Sequence, residues 1–115
     1  MEIARGEIWW ADLPDPVVSD PGGTRPVLVV QANAFNRSRI AMIPVLVMTT
    51  NGRLATLPGN VPLSPCGTGL KQPSVVNVSQ VITADRTFLR ERIGRVSPET
   101  MARVDSGLKL VLGLT

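Results

Sequence analysis

Two uninterrupted apolar runs constrain this chain most: Pro26-Val27-Leu28-Val29-Val30-Gln31, and the nine residues from Ile40 to Met48. Runs this short and this rich in Val, Leu and Ile are strands buried on both faces rather than amphipathic helices. Nine residues are also too few to cross a bilayer as a helix. Pro44 lacks a backbone N–H, which predicts an edge or a bulge for the second run. The β-formers of Gly6 to Asp12 predict a first strand, and Leu13 to Gly23, with three prolines and two glycines, a long loop. Residues 32–39 read as a connection with a helical turn, and 49–60 as a polar loop carrying an Asn51-Gly52 turn signal. Val61 to Leu63 reads as a short strand. Ser74 to Thr83 reads as one with Val76, Val78 and Ile82 on its apolar positions, the alternation breaking at Val81. Ser97-Pro98-Glu99 is a helix start: an N-cap hydroxyl, a proline at the first helical position and an acid near the positive dipole end. Met101, Val104, Leu108 and Val111 follow as one stripe at helical spacing. The expected architecture is mainly β with helices (α+β), a small β-barrel or half-barrel with a C-terminal helix, forming one domain over residues 1–115.

The charge distribution is more informative than its net value of +3. Residues 1–24 hold one arginine and five acids, whereas residues 25–84 hold Arg25, Arg37, Arg39, Arg53 and Lys71 and no acid. A long stretch of positive charge suits a polyanion-binding face. The inventory also excludes chemistries. With no histidine, neither a Ser-His-Asp nor a Cys-His arrangement can be built, and the ligands of a zinc site are missing. The acids cluster toward the chain ends without a close pair for magnesium, and Gly67-Thr68-Gly69 matches no phosphate-loop pattern. No metal and no cofactor is expected. The single cysteine, Cys66, rules out an intrachain disulfide, and Glu2, Arg5 and Glu7 do not read as a signal peptide. Both fit a reducing, cytoplasmic setting without membrane attachment.

Four segments in order resemble the MazF/PemK toxin family: Arg5-Gly6-Glu7-Ile8-Trp9-Trp10-Ala11-Asp12-Leu13, Gly22 through Gln31, Thr49-Thr50, and Ser74-Val75-Val76-Asn77 with Ser79 through Thr83. The resemblance covers nearly the whole chain. It implies an SH3-like, CcdB-type barrel, a homodimer, metal-independent cleavage of single-stranded RNA, and inhibition by a cognate antitoxin with an acidic C-terminal tail. It places the family's catalytic arginine at Arg25 and its second catalytic residue at Thr49, with Thr50 the alternative hydroxyl. Ser19 and Asp20 match family residues that touch bases, Gly22 and Gly23 let the loop approach a bound backbone, and Gln80 matches a family glutamine beside the site. Asn77 and Ser79 stand where the PemK/Kid branch has Arg and Asp, so the chain resembles the MazF branch more.

The residue chemistry agrees with that assignment. RNA carries its own nucleophile, the 2′-hydroxyl, so a protein without metal or histidine needs to stabilise a dianionic phosphorane. The guanidinium of Arg25 offers a planar fork matched to phosphate oxygens, and Pro26 holds Arg25 extended. Arginine titrates too high to be a good proton donor at neutral pH, so its role is electrostatic. Trp9 and Trp10 are adjacent in a strand and point to opposite faces, which predicts one in the core and the other at an interface. Arg86, Arg90, Arg92 and Arg95 form a further basic cluster. Two other readings use the same scaffold: a gyrase-poisoning toxin like CcdB, disfavoured because the chain ends Leu112-Gly113-Leu114-Thr115 without the tryptophan such action needs, and a non-catalytic RNA-binding barrel.

Overall fold

The computed structural model describes residues 2–13 and 23–114. The strands are β1 (Glu7–Leu13), β2 (Gly23–Val29), β3 (Met42–Thr49), β4 (Val61–Leu63), β5 (Ser74–Asp85) and β6 (Leu89–Arg95). They form one antiparallel sheet in the order β4-β5-β3-β2-β1-β6, curled into a half-barrel. A short helix α1 (Asn33–Asn36) joins β2 to β3, and α2 (Pro98–Leu112) closes the fold. No described helix is long and apolar enough to cross a membrane.

The apolar runs fill both faces of this sheet, as their lack of alternation requires. Trp9, Ala11, Val27, Val29, Ile43 and Val45 build an interior core on one face. Ile8, Leu28, Leu46, Met48, Val76 and Val78 build a second core on the other, where Val104 of α2 packs among them. Val104 is fully buried, a contribution of about 1.5–3 kcal/mol for a side chain of this kind. Met101 and Leu108 pack against the same cluster, but Val111 is exposed and does not extend the stripe. Ser97 caps α2 by accepting from the Thr100 N–H, and Gly113 ends it in the left-handed conformation. Gly107, which costs this helix about 1 kcal/mol relative to alanine, has a packing reason: a Cβ there would lie 2.1 Å from the Gly59 carbonyl oxygen.

Pro44 is neither on an edge nor at a bulge. β3 is an interior strand between β5 and β2, and Pro44 pairs regularly with Thr83. Its carbonyl accepts from the Val30 N–H at 3.4 Å, so its missing donor faces the Val30 carbonyl, just past the end of the β2 ladder. Arg5 Nε donates to that carbonyl at 2.9 Å and takes the place of the absent N–H. The bulge lies one ladder away, in β5. Leu46 pairs with Val81 and Met48 with Val76, so four residues of β5 stand against one of β3. The odd surplus swaps the faces. Val76 and Val78 pack on the α2 side, while Ile82 and Ala84 pack in the interior core, and Val81 is exposed. The break in alternation at Val81 is this bulge.

Candidate active site

The β2–β3 pairing runs toward both candidate catalytic residues. Val27 pairs with Val47, and both are fully buried. The β2–β3 ladder ends at this pair; two residues beyond it on each strand lie Arg25 and Thr49, on the face that Val27 and Val47 occupy by alternation. Both are half-buried at the mouth of the interior core. Ala11, paired with Arg25 on β1, is completely buried, and its small side chain leaves room for the longer one. Val75 pairs with Thr49 from the other side, and Asn77 follows two residues on, on the same face.

The β5 bulge carries the remaining candidates. Asn77 is buried; its Nδ2 donates to Gln80 Oε1 at 3.1 Å, and its Oδ1 accepts from the Ser79 N–H at 3.3 Å. The looped-out backbone is thereby held by its own side chains. Asn60 supplies the other brace: its Oδ1 accepts from the Val78 N–H at 3.0 Å and its Nδ2 donates to the Leu54 carbonyl at 2.9 Å. This pins the 3₁₀ turn Gly52–Thr56 to the bulge. At the end of β3, Thr49 Oγ1 accepts from the Asn51 N–H at 3.1 Å, and Asn51 caps the turn by accepting from the Arg53 N–H. One lone pair of the Thr49 hydroxyl is thus engaged, and its proton is left to donate.

Arg25, Thr49, Asn77 and Gln80 therefore share one mouth of the sheet. Thr50 is exposed on the bend that follows β3, and Ser79 is exposed on the bulge. Gly23 opens β2 at φ +143°, with open space where a Cβ would stand. Ser19, Asp20 and Gly22 lie outside the described residues. Sequence reasoning missed Asn51 and Asn60. The Asn51-Gly52 dipeptide signalled a turn; nothing in the sequence marked Asn60, whose partner is eighteen residues away. Trp9 is core, with Nε1 donating to Glu7 Oε1 at 3.1 Å, and Trp10 is exposed, as their adjacency demands.

A curled six-stranded antiparallel sheet closed by a C-terminal helix defines a class of small α+β half-barrel. The comparisons carry this further: a model of the PemK-like, MazF-like toxins of type II toxin–antitoxin systems matches residues 4–112, and the chain belongs to that family. Endoribonuclease MazF6 of Mycobacterium tuberculosis is 46% identical over 114 residues, covering 99% of this chain and 100% of its own length. Endoribonuclease EndoA of Bacillus subtilis is 35% identical, covering 99% and 97%. Among solved structures, a mycobacterial endoribonuclease in complex with its cognate antitoxin superimposes with a TM-score of 0.76 at 28% identity, covering 99% of this chain and 96% of that one.

Proposed function

We propose that this chain is a toxin endoribonuclease that cuts single-stranded RNA without a metal and is inhibited by a cognate antitoxin with an acidic tail. It acts in the cytoplasm as a homodimer, each subunit a single domain. Family membership and relatives named as endoribonucleases support the reaction class. The observation that supports the mechanism is that Arg25 and Thr49 lie two residues beyond the paired Val27 and Val47, on the face those two occupy.

The 2′-hydroxyl attacks the adjacent phosphorus, and the bond from phosphorus to the 5′-oxygen breaks. The products are a 2′,3′-cyclic phosphate and a 5′-hydroxyl. Arg25 neutralises the charge that accumulates on the non-bridging oxygens. The Thr49 hydroxyl, oriented by the Asn51 N–H, donates to a phosphate oxygen. Asn77 and Gln80, tied to each other, present fixed amides to the neighbouring nucleotide, with Ser79 and Thr50 at the rim. Ser19, Asp20, Gly22 and Gly23 of the first loop contact the bases and backbone.

The test is single-turnover cleavage of RNA in EDTA. The parent is expected to cut. Arg25→Ala is expected to lose on the order of 10²–10³ in rate, the usual cost of one transition-state donor. Undiminished cleavage by the purified variant, or loss of parental activity on chelation, overturns the mechanism.

A further inference from the structure

A concavity of about 840 Å³ lies away from this site and takes part in none of the chemistry above. It opens at the Glu7 end of β1, whereas Arg25 pairs near the other end, at Ala11. Four residues of strand separate the two, about 13 Å. Arg37, Arg39, Arg86, Arg92 and Arg95 line it, against the acids Glu2 and Glu7. We propose that this groove is a second RNA-binding site, which holds the phosphate backbone of the substrate strand outside the cleavage site. The proposal rests on RNA being the substrate, but not on the roles assigned to Arg25 and Thr49.

Three of the five guanidiniums are anchored while still reaching solvent. Glu7 Oε2 accepts from Arg92 Nη1 at 3.0 Å and lies 3.9 Å from Arg95 Nη2, yet the two arginine side chains remain 57% and 69% exposed. Arg86 Nη2 donates to the Ile40 carbonyl at 3.0 Å. An arginine already held in place loses less conformational entropy when it binds an anion. Arg37 and Arg39 are exposed on the turn after α1 and complete the rim. Only Ile3 and Ala4 are apolar in the lining, which leaves a bound peptide little to anchor its side chains. A phosphate backbone needs only spaced positive charge and tolerates any base sequence.

The experiment measures binding of a 2′-O-methyl RNA of about ten nucleotides, which cannot be cleaved, by fluorescence anisotropy over a range of salt. Arg37→Ala/Arg39→Ala is expected to weaken binding about tenfold and to reduce the slope of log K against log salt by about 1.4, two phosphate contacts on a single strand. Arg37→Lys/Arg39→Lys is expected to recover the slope. Poly-glutamate serves as the competing probe. Unchanged affinity and slope in the alanine variant overturn the groove while leaving the proposed nuclease intact, provided the parent cuts RNA in EDTA. Loss of poly-glutamate binding with oligonucleotide affinity retained makes the groove an acidic-peptide site and equally overturns the proposal.

Discussion

At the scale of single residues, the hydroxyl of Thr49 is the most exacting element of the mechanism. Its oxygen accepts from the Asn51 N–H, which favours one rotamer and leaves the hydroxyl proton available to donate. Thr49→Ser keeps the hydroxyl and is expected to cut RNA within a few-fold of the parent. Thr49→Val keeps the shape and β-branching but removes both the donor and the acceptor for Asn51. It is expected to slow single-turnover cleavage on the order of 10²-fold, in the range found for a lost transition-state donor. Equal rates for parent and Thr49→Val would remove Thr49 from the chemistry. Thr50, exposed on the bend after β3, is expected to tolerate valine in the same assay. Identity at these positions is readable from the sequence, but the face they share is not. Arg25 and Thr49 come to one face through a strand pairing that no local pattern encodes, since a shift of one residue would turn one of them to the other face.

At the scale of elements, the helix contributes through its closest approach to the loop before β4. A Cβ on Gly107 would meet the Gly59 carbonyl oxygen at 2.1 Å and the Gly59 Cα at 3.2 Å, both backbone atoms that cannot step aside cheaply. Helix propensity alone makes Gly107→Ala about 1 kcal/mol more stable. The overpacking opposes it with about 1–3 kcal/mol or more. Chemical denaturation is therefore expected to show a net destabilisation, and a gain near 1 kcal/mol would mean that α2 does not sit against residue 59. The sequence displays the helix fully, from its Ser97 cap to the stripe of Met101, Val104 and Leu108. It displays β6 poorly. Leu89–Arg95 reads as a charged cluster because it is an edge strand whose outward positions carry Arg90, Glu91 and Arg92, leaving no apolar alternation to detect. Pro44 misleads for a related reason. Its missing donor is compensated by Arg5, thirty-nine positions earlier in the chain, and such a partner is visible only after folding. The Asn77–Gln80 bulge is half legible, as an interrupted alternation without a cause.

At the scale of the whole molecule, Glu7 joins parts that are distant in sequence. Its carboxylate accepts from the Ala4 N–H at 2.8 Å, from the Trp9 indole at 3.1 Å and from Arg92 on the edge strand at 3.0 Å. The N-terminal segment, the interior core and β6 thus meet on one buried acid. Burial works against its charge, but the Ala4 N–H, the Trp9 indole and the Arg92 guanidinium outweigh that effect and hold the carboxyl below its ordinary value of 4.5. A depressed carboxyl stabilises the fold above its unfolded pKa, and that stabilisation disappears as pH falls through the lower folded value. Stability should therefore decline with acid, starting near pH 4.5 and continuing below it. Asp85, also held low by the Thr87 N–H and hydroxyl, adds to the same decline. Comparison with Glu7→Gln separates the two acids, because glutamine imitates the protonated state. At neutral pH the variant is expected to be less stable by about 1–2 kcal/mol, a loss moderated by solvent around the half-exposed arginines. In acid the gap between variant and parent is expected to close, since both then lack the charge. A gap that stays constant down to pH 3, measured by urea denaturation across the series, would mean that Glu7 acts through its shape alone.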